Sequence, residues 1–423
     1  MADAPGNSGT APMAPGASLS HALSEARPLV MAALASHLRD LDAAQEAFAE
    51  ACIALTQSET VPENLAAWLI AVGKRKAVDA IRRREAQARA ADSAAYLEHP
   101  EGSDMGEVIE LPEPITDERL RLIFICCHPA LALEARAALA LKVICGLPVE
   151  AIARLFLTTE PTMYQRITRA KTKIREAQVE FELPPRRVWG ERLEAVLLTL
   201  ELAYTVAYQD AGGTQPVNEG GELAEEVERL ARMLVELLPQ EPEVLGIAAL
   251  VTLARSREAA RIDRDGAMVP LSEQDTAQWD RQRIEQARQW LDQASAGQQT
   301  GPYQIMAAIQ LTHARRLFDG TVDWRAVLAL YNALEMVRPG PMVALNRIMA
   351  LAEVEGAQAS LNELADLPAG RLSSTRPFHV ACARLLETSG RTFDALEALD
   401  KALALDPSQA ERRYLERWRA RLS

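Results

Sequence analysis

The sequence predicts an all-α chain, and three observations predict it. Aromatic residues make up 5% of the 423 positions against 48% hydrophobic, the excess being Ala and Leu set among Glu and Arg. These are strong helix formers, and β-branched residues are few. Apolar positions also recur at spacings of three and four in segment after segment. An all-β fold is excluded, and the length is enough for two to four domains with their own cores. No apolar run approaches the roughly 20 residues that span a bilayer. The start has no basic stretch followed by an apolar core, so a cytoplasmic location is expected. The five cysteines are odd in number and lack the spacing of a disulfide framework, which suits reduced, buried thiols.

Residues 1–18 are Ala, Pro, Gly and Ser in no periodic order and are expected to form a disordered tail. From Pro28, Leu29, Ala33, Leu34 and Leu38, then Ala44, Ala47, Phe48, Ala51 and Leu55, predict two amphipathic helices broken near Asp40. Asn64 is placed to cap a third, with Leu65, Trp68, Leu69, Val72 and Ile81 on one side. Its far half, GKRKAVDAIRRREAQAR (73–89), carries seven cations, among them Lys74, Arg75, Arg82 and Arg83, against Asp79 and Glu85. Cations on a helix suit the phosphate backbone, and an aromatic such as Trp68 can stack on an unpaired base or simply pack in the core. Between Arg89 and Arg119 lie nine acidic residues and no Lys or Arg, with Pro100, Pro112 and Pro114, which predicts a solvated linker over 91–116. Helices follow from Asp117 to about Cys127 and over Leu133–Ile144, with Gly146 as stop and Pro148 as the next start.

Leu147–Arg175 (LPVEAIARLFLTTEPTMYQRITRAKTKIR) has the spacing of a helix-turn-helix. Val149, Ile152, Ala153 and Phe156 can pack from the first helix, and Thr159 caps the second, whose buried stripe is Met163, Ile167, Ala170 and Ile174. What faces outward includes Tyr164, Gln165, Arg166, Arg169, Lys171 and Lys173, with no acid between Tyr164 and Arg175. The first turn of such a helix reads base edges while later cations neutralise phosphates. The net charge of −13 conceals a division, −4 over residues 1–190 and −9 over 191–423, so nonspecific coating of nucleic acid by the whole chain is excluded.

From about Arg187 helix follows helix. Ala326–Pro339 (AVLALYNALEMVRP) aligns without gaps to Asp394–Pro407 (DALEALDKALALDP), 68 residues on, and Gly356 and Gly390 are 34 apart. That period, with a closing Pro, is the tetratricopeptide signature.

PENLAAWLIAVGKRKAVDAIRRR (62–84) resembles the second conserved domain of extracytoplasmic-function sigma factors, and 147–175 resembles their fourth. DERLRLIFICCHPALALEARAALALK (117–142), with EPEVLGIAAL (241–250), Gln274-Asp275 and Trp279, GPYQ (301–304), Asp323-Trp324 and VALNR (343–347), resembles the group with a C-terminal tetratricopeptide-like extension. The resemblance implies a non-enzymatic initiation factor in five parts: the tail 1–18, domain 2 over 19–90, the linker 91–116, domain 4 over 117–183 and the extension 187–423. Asp42, Gln45, Glu46, Phe48 and Ala49 would meet the β′ clamp helices of RNA polymerase core, and domain 4 its β flap. Asn64, Trp68, Lys74, Arg75, Arg82 and Arg83 would engage the −10 promoter element. Thr162, Tyr164, Gln165, Arg166 and Arg169, supported by Lys171 and Lys173, would engage the −35 element. A regulatory protein or ligand would act on the extension. Where this group carries an Asn-Glu-Gly aromatic motif, the chain reads AYTVAYQDAGG (203–213), with Asn218-Glu219-Gly220 further on.

Cys126, Cys127 and His128 lack the spacing that lets ligands converge on one zinc ion, and Asp263 and Asp265 lack the later ligands of a calcium loop, so a turn at Asp265-Gly266 is expected. No phosphate loop, nucleophile elbow or catalytic histidine arrangement is present, and no cofactor is expected. The alternatives are a helical-repeat scaffold and a one-component DNA-binding regulator that acts without polymerase core.

Overall fold

Asp40 separates the first two helices. Its carboxylate accepts hydrogen bonds from the backbone N–H of Asp42 (2.7 Å) and Ala43 (2.9 Å), and Arg39 before it takes a left-handed φ of 53°. Helix α1 (Pro15–Leu38) therefore cannot run on into α2 (Leu41–Thr56). The computed structural model describes residues 15–58, 61–92, 122–156, 158–177, 189–210, 217–297, 300–367, 370 and 372–423. Two expectations are corrected here: the helix begins at Pro15, inside the expected tail, and Pro28 lies within it instead of opening it. An interior proline removes one hydrogen bond. The complete burial of Val30, Met31, Leu34 and Ala35 in the turns that follow offsets that loss.

Asn64 opens α3 (Leu65–Asp92) as expected, its Oδ1 accepting from Ala67 N at 3.0 Å. Gly73 lets α3 press against its neighbours, since a Cβ there would lie 3.1 Å from the Leu34 side chain and 3.3 Å from the Ala47 carbonyl oxygen. Positions 91 and 92 end α3, and the rest of the expected acidic linker lies outside the described residues. A helical stretch at 122–126 (α4) is followed by α5 (Leu133–Val143), α6 (Val149–Leu155) and α7 (Glu160–Glu176). Gly146, at φ 71°, makes the reversal between α5 and α6.

The chain divides into two units, Met1–Thr199 and Leu200–Ser423. The division falls within α8 (Gly190–Asp210), not at the expected 187. The reason lies in Trp189, whose ring stacks 5.0 Å from Phe124, and in buried Arg192, which donates to the Phe124 carbonyl at 2.8 Å. These contacts bind the start of the expected extension into the first unit.

The second unit continues with α9 (Val217–Leu237), α10 (Pro242–Arg255), α11 (Arg281–Ala294), α12 (Pro302–Ala314) and a short α13 (Arg316–Asp319). Six helices follow, each packed on the next and α17 most extensively on α18: α14 (Trp324–Val337), α15 (Pro341–Glu355), α16 (Ala357–Asp366), α17 (Arg376–Thr388), α18 (Thr392–Ala404) and α19 (Gln409–Leu422). α14 and α18 begin 68 residues apart, as do α15 and α19, so the period read in the sequence governs the helix starts. The short motifs build the joints. Glu243 caps α12 by accepting from Tyr303 N (3.0 Å) and Gln304 N (3.1 Å), and Gly246 admits that approach, since a Cβ would stand 2.6 Å from Gln304 N. Asp323 caps α14 through Ala326 N (3.0 Å), and Arg347 on α15 pairs with Glu335 and Glu363.

The segment between α10 and α11 forms a strap. The expected turn is present, with Gly266 N donating to Asp263 O at 2.9 Å and Gly266 at φ 76°. α19 holds it: Arg417 donates to Asp263 Oδ2 (2.6 Å) and Asp265 Oδ2 (2.9 Å), Arg413 to the Asp265 carbonyl (2.7 Å), and Met268 N to Ala410 O (3.0 Å). Among the described residues there is no strand and no helix long and apolar enough to cross a membrane.

Candidate nucleic-acid interface

α7 is built as an exposed, charged helix on a buried rail. Thr159 caps it, its Oγ1 accepting from Thr162 N (3.4 Å) and sharing a hydrogen bond with Thr162 Oγ1 (2.8 Å). Met163, Ile167, Ala170 and Ile174 are buried, so the stripe follows the expected spacing. α5 and α6 both pack against α7. Tyr164 is 64% exposed, and Thr162, Gln165, Arg169 and Lys173 are exposed as well.

The cations of α7 divide between two faces. Arg166, Arg169 and Lys173, three and four residues apart, line a groove of about 310 Å³ with Thr162 and Gln165, walled on the other side by Leu131, Ala132 and Ala135. Arg166 is held there by Glu134 on α5 at 2.7 Å and lies over the Phe156 ring at 5.8 Å. It is therefore half-buried and paired where the sequence suggested a free side chain. Lys171 and Arg175, one turn apart, face α2. Lys171 Nζ lies 2.6 Å from Asp42 Oδ1 and 2.5 Å from Gln45 Oε1, with its side chain 14% exposed, and Arg175 lies 3.9 Å from Asp40. The structure thus joins Lys171, expected at DNA, to Asp42 and Gln45, expected at polymerase.

The remaining α2 residues divide by burial. Glu46 and Ala49 are exposed, but Phe48 is 8% exposed beneath the Arg27 guanidinium, 5.1 Å from its ring. This corrects its expected place in a docking face: it shapes α2 from below. Arg27 sits where a Cβ at Gly146 would collide with it, and burial lowers its pKa against the smaller opposing influence of the half-buried Cys52 and Cys145. Nothing in the periodicity of the sequence marked this residue.

On α3, Arg75, Arg82 and Arg83 are exposed, Lys74 is half-buried and Lys76 approaches Glu50 at 4.0 Å. Trp68 is half-buried, between its two readings, and the Asn64 side chain is engaged in capping. Lys74 also depresses the pKa of His37, after burial itself.

Cys126 and Cys127 are fully buried, which raises both thiols, Cys127 to about 12. Among the described residues no group of three or more His, Cys, Asp or Glu could hold a metal ion.

Residues 121–174 match the sigma-70, region 4 family, and residues 192–295 match a family of unknown function (DUF6596). The first match covers α4 through most of α7 and so contains the groove and its cations. Uncharacterized protein R00370 of Rhizobium meliloti (strain 1021) is 39% identical over 399 residues, covering 93% of each chain. No solved structure matches. With that identity over nearly its whole length, the chain belongs to one family with the Rhizobium protein, and through residues 121–174 it carries a sigma-factor DNA-binding domain of transcription.

Proposed function

We propose that the chain is a sigma factor of the extracytoplasmic-function type that binds RNA polymerase core and directs it to promoters. Its C-terminal extension, of tetratricopeptide-like repeats, regulates or supports that activity. The observation that carries the reading is the cationic groove of α7, in which Arg166, Arg169 and Lys173 lie beside Thr162 and Gln165 within the sigma-70 region 4 match. Polar groups toward a helix's start with cations further along suit base edges and flanking phosphates together. α7 serves the −35 element, with its domain on the β flap. The exposed Arg75, Arg82 and Arg83 of α3, with Lys74, Asn64 and Trp68, serve the −10 element. Asp42, Gln45, Glu46 and Ala49 of α2 serve the β′ clamp helices, and the acidic linker follows the polymerase's cationic nucleic-acid path.

In vitro initiation with purified core polymerase on genomic fragments tests this. Discrete transcripts above core alone, sharing a promoter motif, are expected. Their absence, together with failure of the chain to co-elute with core, would assign it to the scaffold or the one-component regulator. Run-off transcription with a chain ending after α8, near Asp210, which keeps Trp189 and Arg192 on Phe124, separates an inhibitory extension, which gives more transcript, from a required one, which gives none.

A further inference from the structure

The second unit contains a groove of about 850 Å³ that the initiation reading does not use. Its floor comes from three helices, each giving one face: Leu345, Met349 and Glu353 from α15, Pro377, Ala381 and Arg384 from α17, and Tyr414 and Trp418 from α19. Residues 270–273 and Trp279 of the strap form another wall. Packed helices lie 8–10 Å apart, so a path across three of them is roughly 20 Å, about six residues of extended chain. A small ligand would fill only part of it.

The groove's charges show what it lacks. Its cations are committed. Arg316 donates to the carbonyl oxygens of Leu271 (2.9 Å), Ser272 (2.7 Å) and Gln274 (2.5 Å), and lies over the Trp279 ring at 5.1 Å. Arg384 pairs with Glu387, which also accepts from Trp418 Nε1. His313, edge-on to Trp324 at 5.2 Å, is pushed down to about 4 by burial and then by Arg257 and Arg316, so it adds no charge near neutral pH. The carboxylates of Glu273 and Glu353 line the same groove and have no cation partner among the described residues. The Asn346 amide and the Tyr414 hydroxyl likewise make no hydrogen bond among the described residues. What is uncommitted is thus two negative charges, two polar groups suited to a peptide backbone, and the half-buried ring of Tyr414. Trp279, beneath Arg316, and Trp418 are themselves buried, so Tyr414 is the ring whose face is open to a cation.

We propose that this groove binds an extended basic peptide segment of a partner protein, its Arg or Lys side chains lying against Tyr414 and pairing with Glu273 and Glu353. The net charge of −9 over residues 191–423 steers such a partner.

The test is fluorescence anisotropy on the full chain with a labelled ten-residue peptide of alternating Arg and Leu, beside a Glu-and-Leu peptide of equal length. The basic peptide is expected to bind, and the double variant Glu273→Gln/Glu353→Gln to weaken it about tenfold. A control, Glu355→Gln/Glu416→Gln, removes two exposed carboxylates outside the groove and should change binding less than twofold. Equal weakening by both double variants would reduce the effect to general attraction and overturn the proposal. So would no binding of the basic peptide, equal binding of the acidic one, or full displacement by arginine amide at the peptide's own concentration, which would make the site one for small amines.

Discussion

Lys171 on α7 lies 2.6 Å from Asp42 on α2, with Gln45 as its second partner and only 14% of the lysine side chain exposed. Two surfaces with separate expected partners cap each other in the free chain. Asp42→Ala should therefore release a cation. Apparent affinity for a promoter-sized duplex without polymerase should rise several-fold, and the salt slope should steepen by about one counterion. Anisotropy titrations at three salt concentrations measure both, and an unchanged slope would show that Lys171 is not drawn into the DNA contact.

Within the groove, Arg169 and Arg166 should differ. Arg169→Ala removes an exposed cation and should cost about 1–3 kcal/mol of binding if it reads a base. Arg166 must first leave Glu134, 2.7 Å away, so Arg166→Ala should cost less, and Glu134→Ala should strengthen binding. Equal losses for the two arginines in the same titration would contradict this ordering.

His313 makes the second unit acid-sensitive. Its folded pKa of about 4 lies below the ordinary 6.5 because of burial, then Arg257 and Arg316. The unfolded chain therefore takes up the proton first as pH falls. Stability is complete above 6.5 and lost on descent to 4, by on the order of 3 kcal/mol. Urea unfolding of the full chain and of His313→Gln at pH 7 and pH 4.5 should show the difference between them shrinking at the lower pH.

Gly246→Ala should destabilise by about 1–3 kcal/mol, because its Cβ would meet backbone, Gln304 N at 2.6 Å and Tyr303 C at 2.8 Å, and not a movable side chain. A fall in the thermal midpoint of the second unit checks it.

The helices, the buried stripe of α7 and the 68-residue spacing were legible because each follows from local periodicity or a local cap. The start at Pro15 was not, since the entry is rich in Pro, Gly and Ser and Pro28 reads as a helix opening, which hides the turns before it. Long-range pairs were also hidden. Arg27 under Gly146, Trp189 on Phe124, Arg166 on Glu134 and Lys171 on Asp42 are each set by tertiary approach, for which a single sequence has no local sign. The motifs EPEV and GPYQ were recognisable as strings, but that Glu243 of one caps the helix opened by the other became clear only in three dimensions.

Stacked helical hairpins ordinarily melt piecemeal, since each touches only its neighbours. Here Arg413 and Arg417 fasten the final helix to residues about 150 positions earlier. The buckle turns an open spring into a loop, so fraying at the C-terminus must also loosen the segment before α11. The end of the chain should then resist proteolysis as long as the rest of the unit does.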